Sequence, residues 1–131
     1  MPTATPSPTR QKIQLLLLLA FAIGVAGWFA WKGAQPSQHD DFARCLSERG
    51  ATFYGAFWCP HCQNQKKLFG KAQKHLNYVE CSTADGKGQL PRCTQAGVES
   101  YPTWDFADET RLTGEISLEV LAEQTGCMLD S

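Results

Sequence analysis

Cys59 and Cys62 have the spacing in this sequence that is most suited to chemistry. They enclose a proline and a histidine in the string Cys59-Pro60-His61-Cys62. Two thiols at this distance can form a disulfide, exchange it with another thiol, or supply half of a zinc site. The choice among these chemistries depends on the elements that hold the pair.

An apolar run and an amphipathic run flank the two cysteines. Residues 51–57, ATFYGAF, are typical of a buried strand. In residues 63–76, QNQKKLFGKAQKHL, apolar side chains recur on one helical face and lysines occupy much of the rest. The cysteine pair is therefore expected at a turn from a strand into a helix.

This position predicts a different role for each residue of the motif. Cys59 would stand at the helix N-terminus, where free N–H groups and the helix dipole stabilise a thiolate, the attacking species. Pro60 suits the first turn because it has no N–H to leave unpaired. His61 would add a positive charge nearby. Cys62, one turn into the helix, would be more buried and would resolve the mixed disulfide.

The rest of the region after residue 39 predicts helices and strands in mixed order. The expected elements are a helix over 40–50, a strand over 77–81, one or two helical turns over 91–97, a strand entered after Pro102, a strand over 111–116 and a helix over 118–125. A strand-helix-strand unit requires a right-handed parallel crossover, and a hairpin then adds antiparallel strands. The predicted fold class is α/β, with a mixed four-stranded sheet flanked by helices.

A structural zinc site is the alternative use of the pair. Cys81 and Cys93 would supply the two further ligands. Eleven residues separate those two cysteines, however, whereas zinc half-sites usually leave two to four. Zinc knuckles also lie on small loops and not at the end of a buried strand. We therefore predict no metal.

The residues before the soluble domain fall into three regions that differ in composition. Residues 13–31 carry no charge and would span about 28 Å as a helix, close to the thickness of a bilayer core. A cleaved signal peptide is the alternative, but the run is longer than such segments usually are. The predicted regions are a disordered tail over 1–12, a transmembrane anchor over 13–31, a linker over 32–39 and one soluble domain over 40–131.

The composition of the chain excludes one class of function and favours others. The chain has 131 residues and a net charge of −1, so it lacks the basic excess of a general nucleic-acid binder. Six cysteines are many for this length. They indicate an oxidising compartment, a metal site or thiol chemistry.

The string FWCPHC after a strand, with YPT further along the chain, resembles the thioredoxin superfamily. The Pro-His dipeptide inside the motif is similar to that of the DsbA-type oxidases. The longer string GAFWCPHCQNQKKLFG, together with the later cysteines and SYPTW, resembles the thioredoxin-like domain that is fused to or paired with vitamin K epoxide reductase homologues in bacteria and plants. The resemblance covers about residues 40–126 and implies a thioredoxin-like fold.

The resemblance also implies a surface for binding substrate. Pro102 matches the cis-proline that faces the active site, and its loop would bind substrate backbone as an added strand. Tyr101 and Thr103 flank it. Trp58 matches the aromatic residue before the motif and would line the same surface. An ordinary trans proline and a plain core tryptophan are the alternatives.

One position departs from the family pattern. Thioredoxins and DsbA proteins carry a buried acid six residues before the first cysteine, and this chain has Phe53 there. Proton transfer at Cys62 must then use another group or water. Glu80, on the second predicted strand, is the nearest candidate in the sequence, although an exposed strand residue is the simpler interpretation. The proton acceptor stays open at this stage.

The remaining cysteines allow several pairings. Cys81 should lie at the active-site edge of the sheet, because the first two strands of this fold are parallel neighbours. A bond to Cys93 would be either structural or a second redox pair that relays electrons. Cys45, on the apolar face of the first soluble helix, is expected to be a buried small residue. A bond to Cys127 would complete three pairs, but the terminal helices of such folds often lie on opposite faces of the sheet.

Together these features predict a membrane-anchored thiol:disulfide oxidoreductase without any cofactor besides its redox-active disulfide. It would oxidise secreted or lumenal protein thiols and hand electrons to a membrane oxidase of the vitamin K epoxide reductase type. Its domain would lie outside the cytoplasm, in a periplasm or thylakoid lumen. The alternatives are a reductase or isomerase for a dedicated client, and a non-catalytic thioredoxin-like adaptor or zinc module.

Overall fold

The computed structural model of the chain describes residues 8–129. The chain divides into two compact units, one up to Pro36 and one from Ser37 onward. The predicted disordered tail falls partly on residues 1–7, which lie outside the described part.

The described elements follow the predicted order. They are α1 (Pro8–Ala34), α2 (Asp40–Glu48), β1 (Thr52–Gly55), α3 (Pro60–Phe69), a 3-10 helix (Gly70–His75), β2 (Tyr78–Glu80), α4 (Pro91–Gln95), β3 (Thr103–Asp105), β4 (Arg111–Thr113) and α5 (Leu118–Thr125).

Helix α1 makes up most of the first unit. It is long and apolar enough to cross a membrane, as judged by length and composition. None of its side chains is buried within the protein, so its leucines and aromatic residues are available to a lipid environment. The helix begins at Pro8 and ends at Ala34, and it therefore includes residues on both sides of the predicted 13–31 span. Proline is well tolerated in the first turn because its missing N–H has no helical partner there.

The second unit contains a four-stranded sheet in the order β2-β1-β3-β4. Strands β1 and β2 are parallel, with Phe53 opposite Tyr78, and α3 forms the crossover between them. The pairs β1–β3 and β3–β4 are antiparallel. Strand β1 lies between β2 and β3, with Phe53 and Gly55 buried, and the cysteine motif follows its C-terminal end.

Aromatic side chains fill the core between the sheet and the helices. Phe53 stacks on Trp104 across the β1–β3 pair, with ring centroids 4.8 Å apart. Phe69 from α3 packs against Trp104 at a tilt, and Phe42 from α2 stacks on Phe69. The position that carries an acid in thioredoxins is thus occupied here by a core ring. The mixed sheet with flanking helices is a thioredoxin-like fold, as the sequence predicts.

The helix that follows the motif is interrupted once. The pattern over residues 63–76 predicts one continuous helix, but the α-helix ends at Phe69. Gly70 has φ +54°, which is a left-handed value that glycine adopts without a Cβ penalty. The chain continues as a 3-10 helix and returns to the sheet at Tyr78.

A disulfide joins Cys45 of α2 to Cys127, just beyond α5. The expectation that the terminal helices lie on opposite faces is therefore wrong. Leu46 of α2 and Leu121 of α5 are both fully buried in one apolar cluster, which also contains Cys127. The two helices pack on the same side, and this brings the two cysteines within bonding distance.

Candidate active site

Cys59 caps the N-terminus of α3. Its backbone is extended, with φ −78° and ψ 117°, and its sulfur accepts the backbone N–H of Cys62 at 3.3 Å. Pro60 occupies the first helical turn, as predicted. A side-chain acceptor at this position satisfies a free helix N–H, and the helix dipole favours negative charge there. The geometry therefore suits a thiolate on Cys59.

The loop before β3 approaches the same sulfur. The Tyr101–Pro102 peptide bond is cis, so that expectation is confirmed. The carbonyl oxygen of Tyr101 lies 3.8 Å from the Cys59 sulfur and accepts its thiol. Pro102 is fully buried. The cis-proline loop and the cysteine motif thus form one site.

Cys62 is fully buried beneath Cys59. Burial, followed by its hydrogen bond with Cys59, raises the pKa of the Cys62 thiol to about 12. Because a buried thiolate is poorly solvated, Cys62 is a neutral thiol when the pair is reduced. The two cysteines therefore differ in the way expected for an attacking and a resolving thiol.

His61 is exposed and pairs with an acid that the sequence analysis did not identify. Its Nδ1 lies 2.6 Å from Glu115 Oε1, and Asn64 donates to the same oxygen at 3.1 Å. These hydrogen bonds, that of His61 first, lower the pKa of Glu115. Gln65 fixes the Glu115 loop because its buried amide exchanges two hydrogen bonds with the backbone of Ile116. The imidazole expected near the motif thus has a specific carboxylate partner.

Two aromatic side chains lie exposed next to the cysteines. Phe57 and Trp58 are 49% and 52% exposed. The indole of Trp58 donates to Ser82 Oγ at 2.8 Å and meets the ring of Tyr101 edge-on at 6.2 Å. Large apolar side chains held open to solvent next to a reactive group often form a binding surface. Trp58 is therefore not a core tryptophan.

Thr103 does not belong to that surface, although its neighbours in the sequence predict it there. The residue is only 1% exposed, and its hydroxyl donates to the Ser100 carbonyl at 2.8 Å. It stabilises the cis-proline loop from within. Tyr101 is half-buried, and its hydroxyl accepts a hydrogen bond from Gln89.

Glu80 is not a freely exposed strand residue. Its Oε2 accepts the hydroxyl of Tyr78 at 2.8 Å, and its Oε1 accepts the backbone N–H groups of Phe57 and Ser82. Burial first, and then the hydrogen bond to Glu80, raises the pKa of Tyr78. Tyr78 and Glu80 are two apart on one strand and so share a face. This alternation is the signal in the sequence that would have identified Tyr78.

A disulfide joins Cys81 and Cys93. Both residues are buried in a small cluster with Val98, flanked by Tyr54 and Val79. Cys81 lies at the predicted edge of the sheet, since its N–H donates to the Gly55 carbonyl at 2.8 Å. Because the two sulfurs are bonded to each other, they are not free to complete a zinc site with Cys59 and Cys62.

The chain is similar to the thiol-disulfide oxidoreductase LTO1 of Arabidopsis thaliana. The two are 49% identical over 92 residues, which cover 67% of this chain and 24% of that protein. The chain thus matches about a quarter of the length of this relative. No family model matches the chain.

Proposed function

We propose that this chain is a membrane-anchored thiol:disulfide oxidoreductase that oxidises protein thiols. The observation that carries the proposal is the arrangement of the two free cysteines. Cys59 caps a helix N-terminus next to the Tyr101 carbonyl, and Cys62 is sealed beneath it. The similarity to a relative named as a thiol-disulfide oxidoreductase supports the same chemistry.

The proposed reaction moves two electrons from a client dithiol to the Cys59–Cys62 disulfide. A client thiolate attacks the Cys59 sulfur, and the bond to Cys62 breaks with its electron pair passing to Cys62. The second client thiolate then attacks the first client sulfur and releases Cys59 as a thiolate. One disulfide forms in the client, one is lost in this chain, and Cys62 takes up a proton.

The surface around Cys59 suits an unfolded or extended client. Phe57 and Trp58 offer apolar contact, and the backbone of Tyr101, next to the cis-proline, would pair with an added strand. These contacts are independent of client sequence. We therefore expect the chain to accept many protein thiols and not a single small molecule.

The membrane helix suggests where the electrons go next. With α1 in the bilayer, the effective concentration of the domain near another membrane protein rises. A membrane oxidase that resembles vitamin K epoxide reductase would reoxidise the Cys59–Cys62 dithiol. The Cys45–Cys127 and Cys81–Cys93 bonds support an oxidising space outside the cytoplasm, in a periplasm or thylakoid lumen.

The reduction potential of the Cys59–Cys62 pair is the first test. The full chain in mild detergent is equilibrated with glutathione buffers, and free thiols are tagged and located on the peptide that contains both cysteines. A potential above about −200 mV is expected for an oxidant. A potential below about −250 mV would overturn the oxidative direction and indicate a reductase.

A trapping experiment tests whether clients react at Cys59. The Cys62→Ser variant should accumulate mixed disulfides with client proteins, because nothing resolves the bond at Cys59. The Cys59→Ser variant, the matched control, should trap none. If Cys59→Ser captured the same proteins and reductant did not release them, the binding would not depend on a disulfide. The chain would then be an adaptor. Capture of a membrane oxidase by Cys62→Ser would identify the electron acceptor.

A further inference from the structure

The buried thiol of Cys62 requires a route for its proton. Cys62 must gain a proton when its bond to Cys59 breaks and lose one when that bond forms again. The residue has no exposed surface, and burial raises the pKa of its thiol to about 12. Hydroxide and bulk water therefore have little access to it, so a neighbouring group must carry the proton.

Tyr78 of β2 approaches the same side of Gly55 as the Cys62 sulfur. A Cβ placed on Gly55 would lie 3.1 Å from the Cys62 sulfur, 3.3 Å from the Tyr78 hydroxyl oxygen and 2.9 Å from its ring. The sulfur and the phenol thus flank the same small space above the strand. Glycine at this position keeps the space free of a side chain that would separate them.

The Tyr78 hydroxyl is connected on its other side to a carboxylate. It donates to Glu80 Oε2 at 2.8 Å, while two backbone N–H groups fix Glu80 Oε1. Glu80 is only half-buried, so its carboxylate can exchange protons with water. The Tyr78 hydroxyl therefore contacts a solvent-accessible base and shares the space over Gly55 with the buried thiol.

Charges near this chain of groups come from two elements. From α3, Cys59 and Lys66 face Cys62, and Lys66 Nζ lies 3.5 Å from the centre of the Tyr78 ring. From β2, Tyr78 and Glu80 face it. The ammonium over the ring stabilises a partial negative charge on the phenol during transfer. It also favours the Cys62 thiolate over the thiol.

We propose that the Tyr78 hydroxyl passes a proton between the Cys62 sulfur and the Glu80 carboxylate. This inference rests on the proposed function, because only a chain that exchanges disulfides needs the transfer. When Cys62 attacks the sulfur of a mixed disulfide at Cys59, its proton moves to the Tyr78 oxygen. The Tyr78 proton moves to Glu80, which releases it to water.

The same transfer runs backwards during client oxidation. When the Cys59–Cys62 bond breaks, Cys62 takes the proton of Tyr78, and Tyr78 takes one from Glu80, which draws it from water. Tyr78 ends each step as the neutral phenol with which it began. The electrons stay with the sulfur atoms, so the transfer needs no further oxidant or reductant.

The test separates the two steps of disulfide exchange in the full chain in mild detergent. The reduced chain is mixed with excess glutathione disulfide, and the formation and decay of the glutathione adduct at Cys59 are followed by rapid acid quench and mass spectrometry. Formation depends on Cys59. Decay depends on attack by Cys62 and reports the proton transfer.

Tyr78→Phe removes the hydroxyl and keeps the ring under Lys66. We expect adduct decay to slow by about tenfold to hundredfold near pH 7, the size of a general acid–base contribution, while adduct formation changes less than about twofold. Decay in the variant should be slow and should rise with pH much more steeply than in the wild type, because deprotonation of Cys62 then depends on the little hydroxide that reaches it. A merely structural role would not change this pH profile.

Two further variants make the outcome decisive. Tyr54→Phe, on β1 and against the Cys81–Cys93 cluster, is the matched control and should decay at the wild-type rate. Glu80→Gln keeps one acceptor oxygen, replaces the other oxygen with an NH2 group and removes the base. It should slow decay in the same direction even if Tyr78→Phe fails to fold.

The proposal is overturned if Tyr78→Phe or Glu80→Gln folds and its adduct decays at the wild-type rate across the pH range. That result leaves the proposed function intact. If the wild-type chain forms no adduct at all, the proposed function itself fails.

Discussion

Two pairs of cysteines begin at the ends of neighbouring parallel strands: Cys59 and Cys62 follow β1, and Cys81 follows β2 and is bonded to Cys93 of α4. All four sulfurs are buried. Cys81 and Cys93 are bonded to each other among Val98, Val79 and Tyr54. Cys59 and Cys62 are free and have a helix N-terminus, a carbonyl and a phenol as neighbours.

The difference between the pairs lies in their surroundings and not in their burial. The two cysteines of the second pair are bonded to each other inside a small apolar cluster, so their bond acts as a cross-link. The first pair has a cap for one sulfur and titratable groups near the other. Thiol chemistry in this fold therefore depends on which polar and titratable groups lie next to the sulfur atoms at the end of the strand.

The largest expected effect is on the rate of client oxidation, which should differ between variants of the two cysteine pairs. Cys59→Ala should lower the rate of client oxidation by about a thousandfold or more, because the attacking sulfur is lost. The double variant Cys81→Ala and Cys93→Ala should keep most of the wild-type rate once folded. Oxidation of a reduced peptide dithiol under single-turnover conditions measures both. A folded double variant as inactive as Cys59→Ala would make the second pair an electron relay.

The next largest effect is on the free energy of unfolding, and it should differ between the two structural disulfides. The Cys45–Cys127 bond closes a loop with a sequence separation of 82, and the Cys81–Cys93 bond one of 12. Loop entropy predicts losses of roughly 4.5 and about 3 kcal/mol when each pair is changed to alanine. Urea unfolding of the full chain in detergent, followed by near-ultraviolet circular dichroism, measures them. The reverse order would show that loop length does not govern these losses.

A smaller change in the free energy of unfolding is expected from a substitution at Gly55, which lies next to Cys62. In Gly55→Ala the new methyl group would lie 2.9 Å from the Tyr78 ring and 3.1 Å from the Cys62 sulfur. Overpacking of this kind costs about 1–3 kcal/mol. Gly88→Ala is the control, since its methyl group would meet the half-buried Thr83 side chain, at 3.3 Å, and no group of the active site. Equal unfolding free energies for the two variants would contradict the tight packing around Cys62.

The smallest effect concerns the hydrogen bond between His61 and Glu115, next to the first site. Hydrogen bonds from His61 and Asn64 lower the pKa of Glu115 in the folded chain. Its ionised form therefore stabilises the fold above the unfolded pKa, and this contribution is lost as the pH falls through the folded pKa. Glu115→Gln should weaken the dependence of the unfolding free energy on acid pH. Glu48→Gln, on the exposed side of α2, should retain it. Identical acid profiles for Glu115→Gln and wild type would contradict the pairing.

The order of the elements was predictable because each has a local cause. Apolar runs, helical periodicity and stop signals lie within short windows, and the strand-to-helix turn followed from the residues around Cys59. The residues at which the elements begin and end were less predictable. Gly70 ends α3 through a backbone angle that the apolar pattern does not report.

The contacts that complete the site join residues far apart in the sequence. His61 meets Glu115 only because Gln65 fixes the loop after β4 against α3. The Cys45–Cys127 bond likewise depends on how α2 and α5 pack on the sheet. Such contacts follow from three-dimensional packing, and no short window of the sequence contains them. Tyr78 is the exception, because strand alternation alone places it on the same face as Glu80.

The Cys45–Cys127 bond also determines how the second unit bears mechanical load. A force applied between the residues before Cys45 and those after Cys127 passes through one covalent bond. The sheet, the cysteine motif and the cis-proline loop lie inside the closed segment and carry none of that tension. A domain held at a membrane on one side and pulled by a partner on the other would keep its reactive sulfur atoms in register.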